Sequence, residues 1–270
     1  MVHSRGLWLG ATLALTSVAC DSKSEPAPSA SQSATSTSAA PSPSSVPLAP
    51  GVRPLVPRGS ASVAQRQTLT ALTGPKRLTL AGPRPVAELT VPVGQTLTQP
   101  LLVVLTTPET AKQCETWQRI KPAVGFMLCP TPASDSTEVV QHTKSAVKAL
   151  EAKFGQHVGP RSTLVGYGAG ADAAVALMRE SPILFPRGFL IGGGVSGFGS
   201  GAVQAFAVQG GERVLFACKD CEAGRSVSNL LRSGVNARHL DETEPDLKQL
   251  QSAWAWLSEG DPWWKPDAPE

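Results

Sequence analysis

The chain has 270 residues, enough for one α/β domain of about 200 residues with a long tail, or for two domains of roughly 100 to 150. Lys and Arg number 24 against 21 Asp and Glu, a formal charge of +3, and only 17% of residues are charged, a balance too weak to suggest nucleic acid as a partner. Gly and Pro number 25 and 24, above the combined average of about 12%, so part of the chain is not expected to fold.

Arg5 opens a positively charged start, and Leu7 to Ala19 (LWLGATLALTSVA) follows as an uncharged run. As a helix this run would reach only about 20 Å, short of the roughly 30 Å hydrocarbon core of a bilayer. It reads as an export leader, not a membrane span. Ser17 and Ala19 sit just before Cys20, and this ending resembles the lipobox of bacterial lipoproteins, with Ser17 where Leu is commonest. The resemblance implies that residues 1–19 are removed, that Cys20 carries acyl chains such as palmitate, and that these tether the protein to a membrane of the bacterial cell envelope. The alternative is a secretory leader with an incidental cysteine. Asp21 resembles an inner-membrane retention signal, but that rule varies between bacterial groups, so inner and outer membrane both stay open.

From Asp21 to Pro50, 24 of 30 residues are Ser, Thr, Pro or Ala, with no apolar period of a helix or strand. Such a segment buries too little to offset its chain entropy. Residues 20–65 are therefore expected to be a disordered tether, semi-stiff where Pro clusters, ahead of a folded domain over residues 66–270.

In that domain Lys76–Gly82 and Val86–Gly94 read as an antiparallel hairpin turning at Gly82 and Pro83. Leu101–Leu105 (LLVVL), Gly125–Cys129, Thr163–Gly166, Gly188–Ile191, Arg213–Ala217 and Asn236–Leu240 follow as strands, most of them continuous apolar runs of the kind covered on both faces. Helical stretches lie between and after them at Glu109–Arg119, Asp135–Phe154, Ala169–Glu180, Glu222–Arg232 and Pro245–Glu259. Alternating strand and helix predicts a mostly parallel twisted α/β sheet with helices on both faces.

Past Cys20 the cysteines are Cys114, Cys129, Cys218 and Cys221. Export favours their oxidation, and the preferred pairing joins Cys114 to Cys129, near neighbours on adjacent elements. Cys218 and Cys221 form CxxC between a strand and a helix. That stretch looks like a glutaredoxin strand, CxxC, helix and strand, but only one helix and a tail follow it. A structural disulfide is the preferred reading, thiol–disulfide exchange the alternative, and no second Cys or His pair has zinc-ligand spacing.

Gly166 to Gly170 reads GYGAG, between the strand TLVG and the small-residue helix ADAAVALM. At such a junction an α/β-hydrolase carries GxSxG, a sharp elbow that lifts its nucleophile above the sheet. Over about Pro100 to Gly260 the chain resembles the α/β-hydrolase family in strand order, elbow position and a late strand–loop–helix pair, and it is similar to lipoprotein-like bacterial hydrolases of the esterase and acyl-peptidase kind. The resemblance implies a nucleophile at position 168, an oxyanion site after LLVVL, an acid near Asp220 and a histidine after the last strand.

This sequence departs from each of those except the acid. Position 168 is Gly168, LLVVL runs into Thr106, Thr107 and Pro108, and Leu240 is followed by Asp241, Glu242, Thr243, Glu244 and Pro245. Of the four histidines, His3 lies in the leader, His142 on a helix far from the elbow in sequence, and His157 ahead of the central strand. His239 falls within the last strand. No catalytic residue is therefore assigned, and no cofactor or metal is expected. The reading is a degenerate hydrolase scaffold with a binding or structural role, its pocket bordered by Thr106, Gly168, Ala169 and Asp220 and able to take a small molecule, a peptide or an envelope protein. The alternatives are a serine-type ester or peptide hydrolase with an unorthodox nucleophile and a thiol–disulfide protein using Cys218 and Cys221. Trp254, Trp256, Trp263 and Trp264 are read as covering the sheet and pinning the tail, with a sugar or protein platform as the alternative.

Overall fold

A computed structural model describes residues 68–81, 86–121 and 123–264. The leader, Cys20, the tether through residue 65 and the turn at Gly82 and Pro83 lie outside the described residues. In chain order the elements are β1 (Arg77–Leu80), β2 (Ala87–Thr90), β3 (Gln99–Leu105), α1 (Gln113–Ile120), β4 (Phe126–Pro130), α2 (Ser136–Phe154), β5 (Val158–Tyr167), α3 (Ala169–Glu180), β6 (Arg187–Ile191), α4 (Ser200–Val208), β7 (Arg213–Ala217), α5 (Ala223–Arg232), β8 (Asn236–Leu240) and α6 (Leu247–Ser258).

Local chemistry sets several of these boundaries. Asp135 caps α2 by accepting from the backbone N–H groups of Thr137 and Glu138 at 2.8 and 3.2 Å. Asp246 and Gln249 cap α6 reciprocally, each side chain bonding the other's backbone N–H. Both satisfy donors that the first helical turn leaves without partners. Two elements depart from the sequence expectation. β5 begins at Val158, because its Gly159, Pro160 and Arg161 stay in the extended chain despite their low strand propensity. α4 forms out of the glycine-rich stretch after β6, held by the buried Val203, Phe206 and Ala207.

The strands form one eight-stranded sheet in the order β1-β2-β4-β3-β5-β6-β7-β8. β1 pairs antiparallel with β2, and β2 antiparallel with β4, while every other pairing is parallel. Each parallel step is bridged by a helix or a longer crossover, as parallel pairing requires. The fold is α/β: a mostly parallel sheet entered through an antiparallel hairpin.

Strand periodicity divides the core in two. Leu101, Val103, Leu105, Phe126, Leu128, Leu164, Leu190 and Phe216 pack with α2, α3, α4 and α5 on one face. The alternate residues Leu102, Val104, Met127, Val165, Phe189 and Leu215 pack with α1 and α6 on the other. Successive strand side chains point to opposite faces, so LLVVL serves both layers and must be apolar throughout.

On the second face Trp117 stands edge-on to Phe189 and to Trp254, at 6.3 and 6.1 Å between ring centroids, and Trp254 stands edge-on to Trp264 at 4.7 Å. Trp254, Trp263 and Trp264 are buried, so they cover the sheet and are not presented as a platform. Trp256 is half-buried, with the guanidinium groups of Arg213 and Arg238 over its ring at 5.2 and 4.9 Å from the centroid.

A polar clamp closes the amino ends of the strands. Arg187, 5% exposed, donates from Nε to Glu212 at 2.8 Å and from Nη1 to the carbonyl oxygens of Leu257 and Glu259, tying β6 to the end of α6. Glu212 also pairs with Arg161, and buried Asp261 lies 3.7 Å from Arg187 Nε. Burial raises the pKa of Glu212, but its bonds to Arg161 and Arg187 outweigh that and leave it below its ordinary value of 4.5. A carboxylate depressed in the folded state stabilises fully above its unfolded pKa and loses that contribution as pH falls through its folded one. The thermal midpoint should therefore decline as pH drops below about 4.5, and Glu212→Gln should flatten that decline while lowering the midpoint at neutral pH; calorimetry across pH 3–7 checks both.

Candidate functional site

β5 ends at Tyr167 and α3 begins at Ala169, so Gly168 alone makes the reversal between them, with φ 55° and ψ −121°. An L-residue with a side chain pays strain of about 1–3 kcal/mol there, and glycine does not. The flanking glycines serve a different purpose. A Cβ on Gly166 would lie 2.6 Å from Ala171 Cα, and one on Gly170 would lie 2.8 Å from the carbonyl carbon of Leu105, so α3 crosses the ends of β3 and β5 in direct backbone contact. At Gly168 a Cβ would meet only Thr107 Cγ2, at 3.9 Å. The turn therefore leaves room for a side chain at 168 and none at 166 or 170.

The elbow is tied in from three sides. Gly168 donates its N–H to the carbonyl of Ile191 at 2.8 Å and accepts from Ala171 at 2.9 Å. Asp172 accepts from the backbone N–H of Gly194 at 2.8 Å, fixing the loop after β6. Tyr167 faces the other layer, where its hydroxyl accepts from Trp117 Nε1 at 2.8 Å, and burial raises the pKa of that hydroxyl. Sequence reading missed both Tyr167 and Asp172, since neither position carries a signal of its own before its partner's strand is known.

Of the residues expected to border one pocket, Thr106 lines a cavity that the other three do not. Thr106, with its side chain buried and its Oγ1 lacking a partner among the described residues, lines a cavity of about 510 Å³ between β2, β4 and α1, together with Glu88, Lys112, Glu115 and the Cys114–Cys129 bridge. Gly168, Ala169 and Asp220 do not line it. The strand order sets Asp220 apart from Thr106, because β5 and β6 lie between β3 and β7. Asp220 instead sits in the turn after β7 with φ 53°, a left-handed conformation that Asp tolerates.

The loop after β3 closes on itself, with Thr107 donating its N–H to Thr110 Oγ1 at 2.9 Å. The first group that a side chain at 168 would meet is thus the Thr107 methyl. None of the described histidines reaches the elbow by its hydrogen bonds. His142 bonds the carbonyl of Thr131, and His157 bonds that of Thr70. His239, on β8, pairs in register with Phe216 of β7 and stands three strands from β5, so about 14 Å away at roughly 4.8 Å per strand. Its Nε2 bonds the carbonyl of Cys218 at 2.8 Å and lies beside the sulfurs of Cys218 and Cys221, which the structure joins as a second disulfide. Lys121, between α1 and β4, is a further perturbed group that sequence reading passed over: burial, and secondarily Lys76, push its pKa down to about 8.

The strand order, the antiparallel entry and the strand–glycine–helix elbow define an α/β-hydrolase-like domain. Among solved structures, a thermostable esterase with 18% identity aligns over 68% of this chain and 63% of its own, with a TM-score of 0.49. The chain thus spans less than two thirds of that esterase's length. Est1E from Butyrivibrio proteoclasticus aligns at 10% identity over 62% of this chain and 90% of its own, TM-score 0.43. A fluorophosphonate-binding serine hydrolase of Staphylococcus aureus aligns at 10% identity over 63% and 91%, TM-score 0.42. No family model and no curated protein matches the sequence.

The two kinds of glycine separate in a stability test. Gly168→Ala should destabilise by about 1–3 kcal/mol through backbone strain alone, whereas Gly170→Ala, which drives a methyl into the β3 backbone, should cost more or abolish folding. Tyr167→Phe should cost about 1–3 kcal/mol by stranding the Trp117 N–H. Urea denaturation of the three variants checks the order.

Proposed function

We propose that the chain is a lipoprotein of the bacterial envelope, anchored through Cys20, whose hydrolase-like domain binds a small polar molecule and does not hydrolyse it. One observation carries the reading: Gly168 holds the backbone of a nucleophile elbow and has no side chain to attack with.

Acyl transfer needs an activated hydroxyl or thiol, a base that an acid orients, and donors for the developing oxyanion. The N–H groups opening α3 match the last requirement in kind. The first is missing at 168, and among the described residues no histidine serves as the second, since His142, His157 and His239 are each engaged with backbone carbonyls elsewhere. Loss of one triad member costs about 10⁴- to 10⁶-fold in rate, so the isolated Asp220 cannot sustain the reaction.

Binding draws its support from the cavity beside Thr106. A buried hydroxyl without a partner forfeits about 1–3 kcal/mol that a ligand's polar group would restore. The walls supply an apolar surface from Ala111 and the Cys114–Cys129 bridge, with Lys112 and Glu115 exposed at the rim. Such a lining fits a small molecule that places one hydrogen-bonding group inward and carries its charge outward.

Hydrolysis of p-nitrophenyl acetate is the direct assay. Wild type and Gly168→Ser should both remain at the buffer rate, the variant because a serine alone has no base to activate it; turnover by wild type would refute the inert reading, and turnover by the variant would show that a base is at hand. In cells, Cys20→Ser should move the protein from the membrane fraction to the soluble one and abolish palmitate incorporation.

A further inference from the structure

We infer that Cys218, Cys221 and His239 form a redox-gated site for a thiophilic d¹⁰ cation such as Zn²⁺ or Cu⁺, closed while the two sulfurs are bridged and open once they are reduced. The site is separate from the elbow and from the Thr106 cavity, and the proposal stands whether or not the domain hydrolyses anything.

Three ligand atoms converge there. His239 Nε2 lies 3.7 Å from Cys218 Sγ and 3.8 Å from Cys221 Sγ, and all three atoms fall within 4.8 Å of one another. In a tetrahedral zinc site, Zn–S bonds of about 2.3 Å and Zn–N bonds of about 2.05 Å set the N···S separation at about 3.6 Å. Both observed N···S distances are already close to that value. The S···S separation at the same bond lengths is about 3.8 Å, which the disulfide forbids and its cleavage permits. Two thiolates with an imidazole are the donor set that soft and borderline cations select, and a hard cation such as Mg²⁺ or Ca²⁺ is not expected to compete.

The fold supplies both position and access. Cys218 directly follows β7, and Cys221 precedes α5 by two residues; His239 arrives from the neighbouring β8 because Phe216 and His239 stand in register. Cys218 is buried, Cys221 is half-buried and His239 is exposed, so an ion can enter from solvent and a fourth ligand can be water. The Cys114–Cys129 bridge, buried at both sulfurs' residues, has no histidine beside it among the described residues.

The chemistry balances as follows. A dithiol reductant gives two electrons and two protons to the Cys218–Cys221 bond, breaking it into two thiols and becoming a disulfide itself. His239 Nε2 faces a carbonyl oxygen, so in the bridged form Nε2 carries the proton. Binding M²⁺ moves the neutral imidazole to its Nδ1–H form, turns Nε2 from the Cys218 carbonyl to the ion, and releases both thiol protons to water.

The test uses the full chain, reduced with dithiothreitol and desalted without oxygen, then titrated with Zn²⁺ against a chromogenic chelator. The reduced protein should take up one ion and the oxidised protein none. Cys218→Ser/Cys221→Ser under the same reduction should take up none, which excludes Cys20, Cys114 and Cys129 as the source. Because losing an outer-shell partner of a metal ligand already weakens binding about 10- to 100-fold, His239→Gln, which removes a direct ligand, should weaken it by at least tenfold. Co²⁺ added to reduced wild type should give the thiolate charge-transfer and intense d–d absorption of a tetrahedral thiolate site, a readout that needs no variant to fold. Equal uptake by the oxidised form, unchanged affinity in His239→Gln, uptake by the double serine variant, or no uptake and no cobalt spectrum from the reduced chain would each overturn the proposal.

Discussion

The whole arrangement depends on the direct backbone contact between α3 and the ends of β3 and β5. Gly166 and Gly170 permit it, since a methyl on either would collide with backbone atoms. Once α3 is seated that closely, one residue must reverse the chain, and Gly168 does so at φ 55°. Helix α3 then buries Ala171, Ala173, Ala174, Leu177 and Met178 against the sheet. The small residues at its start are therefore the price of proximity. The geometry that would present a nucleophile is thus maintained by packing, and its persistence does not require chemistry at its tip.

The same geometry separates three regions that share the carboxyl edge of the sheet. The β2–β4–α1 side holds the Thr106 cavity and the Cys114–Cys129 bridge. The centre holds the elbow, and the β7–β8 side holds Cys218, Cys221 and His239. At the opposite edge, Arg187, Glu212 and Asp261 fasten β6 to the end of α6 and to the turn before Trp263 and Trp264. One end of the sheet is thereby closed by a charged clamp and by tryptophans, and the other is left to loops, where ligands of α/β sheets usually sit.

Legibility in the sequence followed burial. LLVVL and the VLFA that follows Arg213 were readable as central strands because both their faces are covered, so no polar residue interrupts them. The opening of β5 was not, because Gly159, Pro160 and Arg161 carry loop signals and fall at an irregularity of the β3 pairing, which holds Val158 opposite Gln99 and resumes at Ser162 opposite Leu101. α4 was hidden by the glycines around it, since its helix is held by three buried side chains more than by propensity. At the site, GYGAG marked the elbow through its position between a buried strand and a small-residue helix. The grouping of Thr106 with Asp220 needed the strand order: sequence places both after strands, and only the sheet shows that β5 and β6 lie between them. His239 was readable as a residue of the last strand, but its company with the CxxC sulfurs follows from the β7–β8 register, which no local pattern encodes.

Incubation of the full-length protein with a fluorophosphonate, followed by intact-mass measurement, tests most directly the proposal that no activated nucleophile stands at the elbow. An unmodified mass is the predicted result. A stoichiometric adduct mapping to a hydroxyl beside Gly168 would contradict it.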